Sequence, residues 1–162
     1  MDIGSAVRGK PPFRKKLSKL SVLARVWIIP YGMMVKNSSG IKSIQDVRGK
    51  KFVTDVTTVV SLGRLNRLYL ASAGMTTKDV IAVKSGGVVK NVNMVVEGRV
   101  DASPIGLGMR QVRKAHATVP GGIRFIGLGP KATDEFIMNY APGAYGYVGK
   151  PCLLYTSPSP RD

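Results

Sequence analysis

Ser39 to Val53 reads S-G-I-K-S-I-Q-D-V-R-G-K-K-F-V, and this stretch decides the fold. Ser43 and Asp46 form an S-x-x-D box, in which each side chain accepts a backbone N–H that has no partner inside the helix. The helix they open is about one or two turns long. Gly49 ends it in the left-handed conformation, and Lys50 and Lys51 complement the negative end of the helix dipole. Phe52 and Val53 then begin a buried strand. A short capped helix that hands the chain to a strand is an α/β connection.

The same alternation continues on both sides. Upstream, the apolar runs Val26–Ile29 and Met33–Val35 are separated by Pro30, Tyr31 and Gly32, which predicts strand, turn, strand. Downstream, Leu62, Leu65, Leu68, Tyr69 and Ala73 recur at helical spacing, with Arg64 and Arg67 on the other face and Gly74 as the stop. Thr76 and Asp79 repeat the capping box ahead of Val80–Val83, a β-branched run expected to be a buried strand. Val88, Val92, Val95 and Val96 line a second helix that Gly98 ends. Gly98 to Ala102 exits into a short strand, and Pro104, Gly106 and Gly108 are expected to break the chain before a helix over Met109–Ala115. Ile123–Leu128 predicts another strand. Thr133 caps a last helix containing Phe136, Ile137 and Tyr140, which Pro142 and Gly143 terminate. No internal repeat is visible.

The segment T-D-V-T-T-V-V-S, between the strand ending at Thr54 and the helix beginning near Leu62, places Thr54, Asp55, Thr57, Thr58 and Ser61 at the carboxyl end of a strand and the positive end of a helix. Open α/β sheets bind ligands at such ends, where free N–H groups and hydroxyls favour a carboxylate or phosphate. An ordinary polar loop with Ser61 as the helix cap fits the same residues, and both readings stay open.

Catalytic chemistry finds little footing. The single histidine, His116, lies near a helix end and reads as a solvated or dipole-complementing group. There is no G-x-S-x-G, H-E-x-x-H or G-x-x-x-x-G-K-[ST] motif, and the acids are dispersed. The pairs Gly86-Gly87 and Gly121-Gly122 read as turns. No enzyme activity, metal or cofactor is expected.

The 162 residues carry 25 Lys and Arg against 9 Asp and Glu, a formal charge of +16. Such a balance attracts phosphates, anionic lipids or acidic solutes. The first cluster is Arg8, Lys10, Arg14, Lys15, Lys16, Lys19 and Arg25, and the remainder are spread to Lys150. No basic run is interleaved with aromatics, so nucleic-acid or polyanion binding stands as the alternative function. No apolar run approaches the roughly 20 residues of a spanning helix, and the first residues lack the apolar core of a signal peptide. Asn37-Ser38-Ser39 matches a glycosylation sequon, a three-residue pattern common by chance.

Cys152 to Asp162, C-L-L-Y-T-S-P-S-P-R-D, matches the translation of a transposon-type sequencing-library adapter. The natural polypeptide is expected to stop near Pro151, which removes the only cysteine. Arg161 and Asp162 cancel, so the charge is unaffected.

The ordered blocks I-K-S-I-Q-D-V-R-G-K-K-F, L-x-x-A-G-M-T-x-x-D-V, E-G-R-V-D-A, G-G-I-R-F-I-G-L and P-G-A-Y resemble the solute receptors of tripartite ATP-independent periplasmic (TRAP) transporters, specifically the TAXI family. The likeness runs from about Ala6 to Val148. It implies a type II periplasmic-binding-protein-like fragment with a mixed sheet flanked by helices, cut at both ends. On that basis residues 1–35 are a remnant of a first lobe and crossover, and 36–130 form the second lobe. Residues 131–151 return toward the first lobe, and 152–162 are the adapter-derived tail. The implied function is extracytoplasmic capture of a small organic anion, a carboxylate or amino acid, for transfer to membrane subunits. In the family, a glycine-rich loop follows the first strand of this lobe. Val56–Ser61 stands there without the glycines, leaving Thr57, Thr58 and Ser61 as donors. The stretch after Asp101-Ala102 nominates Ser103, Pro104 and Gly106.

Overall fold

The computed structural model describes residues 3–10, 13–21, 23 and 28–148. Helix α1 (Ile3–Arg8) precedes β1 (Tyr31–Lys36), β2 (Lys51–Val56), α2 (Val60–Ser72), β3 (Ile81–Ser85), α3 (Val88–Val96), β4 (Ala102–Gly106), α4 (Arg110–Thr118), β5 (Ile123–Ile126) and α5 (Asp134–Tyr140). The five strands form one mixed sheet in the order β3-β2-β4-β1-β5. β2 is parallel to β3 and to β4, and β1 is antiparallel to both β4 and β5. Four strands therefore run one way and β1 runs against them. The expected α/β class, a mixed sheet flanked by helices, is what the chain forms.

Two apolar layers cover the sheet. On one face Met33, Val35, Phe52 and Ala102 pack with Tyr69 and Leu70 of α2 and with Ile41, Ile44 and Val47. On the other, Met34, Val53 and Ile105 pack with Val92 and Val95 of α3 and Val112 and Ala115 of α4. Alternation along β1 sends Met33 and Val35 one way and Met34 the other, so this strand is buried on both faces. Leu68 joins Ile137 and Ala141 in a smaller cluster that seats α5 on α2. There Gly129 is required: a Cβ on it would lie 2.6 Å from the Ser72 carbonyl oxygen.

Both capping boxes form, around 3-10 turns at Ile44–Val47 and Thr77–Asp79. The Asp46 carboxylate accepts from the N–H groups of Lys42 and Ser43, each at 2.8 Å. Asp79 accepts from the N–H of Thr76 at 2.8 Å and from its hydroxyl at 3.1 Å, and pairs with Arg48. Gly49 takes φ +70°, as its stop role demands. These contacts hold both carboxyls below the ordinary range, the Lys42 and Ser43 N–H groups for Asp46 and the Thr76 N–H for Asp79. A depressed folded pKa stabilises above the unfolded value and is lost as pH falls through the folded one. The unfolding midpoint is therefore expected to drop between about pH 5 and pH 2, and less steeply in Asp46→Asn/Asp79→Asn. A wild-type midpoint flat across that window would contradict this.

Four expectations change. Tyr31 and Gly32 are strand residues, not breakers: a Cβ on Gly32 would lie 2.8 Å from Phe125, so glycine lets the β5 side chain cross β1. Of the upstream run, Val26 and Trp27 lie outside the described residues, and Ile28 and Ile29 are exposed and outside any strand. β3 is an edge strand rather than a buried one, with Ile81 53% exposed. Pro104 and Gly106 lie within β4, which is buried throughout. The proline is tolerated because β2 registers with β4 only at Phe52 and Ala102, so beyond Ala102 that side of β4 needs no N–H. Arg25 and the tail from Cys152 also lie outside the described residues.

Candidate functional site

The order of connections singles out one edge of the sheet. From β2 the chain crosses through α2 to β3 on one side, then through α3 back past β2 to β4 on the other. The strand order reverses between β2 and β4, the switch point at which open α/β sheets form a crevice beyond their carboxyl ends. These two strands also diverge there, sharing only the Phe52–Ala102 register pair.

Three helices begin at this edge, α2, α3 and α4, directly after β2, β3 and β4. Their N-caps are Val59, Gly87 and Met109, none with a side-chain cap hydrogen bond, and none has an acidic residue in its first turn. Three other starts do carry acids, Asp46, Asp79, and Asp134 and Glu135 after the Thr133 cap of α5, whereas α1 and the turn at Asn37–Ser39 have none in their first turn. An uncapped helix start leaves N–H donors unused and carries about +0.5 elementary charge. Three of them make this edge a positive, donor-rich rim.

The loops of the rim brace each other. Thr57 donates its N–H to the Ser85 carbonyl at 2.8 Å and its hydroxyl to the same oxygen at 3.2 Å. The Ser85 hydroxyl bridges to the Gly87 carbonyl at 3.3 Å, and the Gly87 N–H donates back at 3.4 Å. A Cβ on Gly87 would lie 3.8 Å from the Thr58 hydroxyl, so the β2–α2 and β3–α3 loops are neighbours. Thr58 is exposed at the tip.

The sequence-derived site residues therefore separate. Thr57 and Thr58 stand on the rim, and Ser61 lies one residue inside α2, whose cap is Val59. Thr54 and Ser103 are buried in β2 and β4, with hydroxyls turned to the carbonyls of Val83 at 3.5 Å and Pro104 at 3.4 Å. Asp55 is bound to Arg67 of α2. Pro104 and Gly106 are also buried, with Ile29 lying over Gly106. Gly86 and Gly87, read as an ordinary turn, belong to the rim together with Ser85, which the sequence reading did not single out. Their signal was a glycine pair set directly between a strand and a helix.

Behind the rim lies a buried polar network. The Tyr31 hydroxyl donates toward Asn66 Oδ1 at 2.8 Å and the Pro104 carbonyl at 3.0 Å. Asn66 Nδ2 donates to the Val53 carbonyl at 2.9 Å, and the Tyr69 hydroxyl donates to the Tyr31 carbonyl at 2.8 Å. β1, β2, β4 and α2 thus meet in one set of hydrogen bonds. Burial pushes both phenols above the ordinary tyrosine range, with Tyr69 adding to the effect on Tyr31. His116 Nδ1 lies 3.2 Å from the Ile123 carbonyl oxygen, tying the end of α4 to β5 and not to the rim. Among the described residues no group of three or more His, Cys, Asp or Glu could hold a metal.

The family model described as NMT1/THI5 like matches residues 17–126, which is more than half of the chain. The chain belongs to the NMT1/THI5-like family. The match takes in the rim, the switch point and all five strands.

Solved structures similar to this NMT1/THI5-like chain include the periplasmic aliphatic sulphonate binding protein SsuA from Escherichia coli. That match has 21% identity and a TM-score of 0.46, and covers 60% of this chain and 31% of that one. PhnD1 from Prochlorococcus marinus, in complex with methylphosphonate, is 16% identical with a TM-score of 0.48, covering 62% and 40%. The L-cystine solute receptor of Neisseria gonorrhoeae is 16% identical with a TM-score of 0.41, covering 68% and 47%. The chain thus spans less than half the length of these proteins. No curated protein matches it.

Proposed function

We propose that this chain is the ligand-holding lobe of an extracytoplasmic solute-binding receptor, which captures a small organic anion for a membrane transporter and performs no bond chemistry. The observation that carries this reading is the convergence of three uncapped, acid-free helix starts on the switch point of the sheet. A carboxylate, sulfonate or phosphonate is the group such a rim complements. Membership of the NMT1/THI5-like family supports the receptor role. The ordered blocks from Ile41 to Tyr145 favour a TRAP-type transporter of the TAXI kind as the destination. Among the described residues no helix is long and apolar enough to cross a membrane, so the transporter's spans belong to partner subunits on this reading.

In domain terms, residues 36–130 are the second lobe, 131–151 lead back toward a first lobe, and 1–35 are what remains of it. β1 straddles the first boundary and sits inside the sheet. Of the site residues, Thr57, Thr58 and Ser61 are proposed to face the solute directly. Thr54, Asp55 and Ser103 support the loop from below.

Titration of the chain with small carboxylates, amino acids, sulfonates and phosphonates, followed by amide NMR, tests the reading. Shifts are expected at 57–61, 86–89 and 108–111. No response to any of these anions, or shifts confined to other surfaces, would overturn it.

A further inference from the structure

Charge is distributed unevenly along the strand direction. At the end remote from the rim, Asp46, Asp79, Glu97 and Asp101 mingle with Lys42, Arg48, Lys50, Lys51, Lys78 and Arg99, so each acid there has cations beside it and the excess of positive charge is small. Asp79 pairs with Arg48, Glu97 with Arg99 at 2.6 Å, and Asp101 accepts the Lys51 N–H at 2.8 Å. Asp134 and Glu135 also begin away from the rim. The preceding Lys131 N–H donates to the carbonyl of Ser72, the last residue of α2. Among the described acids only Asp55 stands near the rim, and Arg67 neutralises it.

Of the cations at the rim only Lys84 neighbours an acid, its β2 register partner Asp55, which Arg67 already holds. Lys84 lies exposed near the end of β3, and the Lys90 side chain folds back to within 3.9 Å of the Cβ position of Gly86. α4 carries no acid, and Arg110, Arg113 and Lys114 are exposed in its first two turns. Lys90 and Arg110 stand in the first turns of α3 and α4, where a cation opposes the dipole, so helix stability alone selects against these two placements. The 13 residues of α2 separate the two ends by about 20 Å, against a Debye length of about 8 Å at physiological salt. The acids at the far end therefore do little to offset the rim.

We propose that the rim is an electrostatic funnel, in which Lys84, Lys90, Arg110, Arg113 and Lys114 concentrate anions in front of the three helix starts and so set the rate and charge selectivity of solute capture. This rests on the receptor reading above and adds to it a kinetic role for residues that do not hold the solute. Fields of this kind raise encounter rates and fade with salt.

A test that needs no bound solute separates the two ideas. Amide relaxation would be measured with a carboxylate-bearing nitroxide and with its neutral amide-bearing counterpart. At low salt the anionic probe is expected to exceed the neutral one about threefold at 57–61, 86–90 and 107–111, the enrichment that a potential of about one kT gives. A clearly smaller excess is expected at 46–51 and 78–80, where acids and cations alternate. The excess should fall at high salt and in Arg110→Gln/Arg113→Gln/Lys114→Gln, and persist in Lys50→Gln/Lys51→Gln/Lys78→Gln, with amide dispersion reporting that both variants fold. Equal probe effects at low salt, or an excess abolished by the far-end variant, would overturn the funnel and leave the receptor reading to the titration.

Discussion

Asn66→Ala is expected to cost about 3 kcal/mol of folding stability, the largest loss from any single polar side chain here. Asn66 is fully buried on α2 and touches two strands at once. Its Nδ2 is the donor to the Val53 carbonyl, and its Oδ1 accepts from Tyr31. Truncation leaves that carbonyl without its side-chain donor, removes one acceptor from a buried phenol, and opens a cavity between helix and sheet. Each effect is worth about 1 kcal/mol or more. Tyr31→Phe should cost less, because it removes one hydroxyl without opening a large cavity and leaves the Asn66 donation to the Val53 carbonyl in place. The two changes share a hydrogen bond, so their sum should exceed the double variant by about 0.5 kcal/mol or more. Urea unfolding of the four proteins measures this. An Asn66→Ala loss below about 1 kcal/mol would mean that the network contributes little.

Asn91→Leu is expected to have the opposite sign. Asn91 is buried in α3, and its Oδ1 has no hydrogen-bond partner among the described residues. An unpaired buried amide oxygen costs about 1–3 kcal/mol, and a leucine of similar shape removes that cost while extending the Val92 and Val95 layer. A gain of about 2 kcal/mol in urea unfolding is the expected result. A loss would show that the oxygen is satisfied in solution and that the amide belongs to the working protein.

These two asparagines mark the limit of what the chain's pattern discloses. Capping boxes were legible because Ser43 with Asp46 and Thr76 with Asp79 act over three residues, and Gly49 and Gly98 act over one. The valine stripe of α3 and the leucine stripe of α2 were legible because helical periodicity is local too. Asn66 interrupts such a stripe, and no local rule tells a buried bridging amide from a gap in the pattern. The exposure of β3 was hidden for a related reason: Ile81 to Val83 looks the same at the edge of a sheet as at its centre. Pro104 and Gly106 were read as breakers because that rule assumes a strand paired on both sides along its length, and beyond Ala102 β4 is paired only with β1. At the rim, the exposed position of Thr57 and Thr58 was legible because they directly follow a strand. Thr54 and Ser103 were misplaced in depth because their strands run further inside than expected.

The reversed direction of β1 has a consequence for how the sheet comes into being. β2, α2 and β3 are contiguous and can associate over short loops. β1 depends on neighbours supplied much later in the chain, Met33 facing Pro104 on one side and Ile126 on the other. Closing loops of that span carries an entropy cost that no local contact offsets in advance. A strand buried on both faces thus waits for hydrogen-bond partners that emerge late. Until Ala102–Ile126 has been made, Met33, Met34 and Val35 have no sheet to enter, and the first half of the chain carries an unpaired apolar strand.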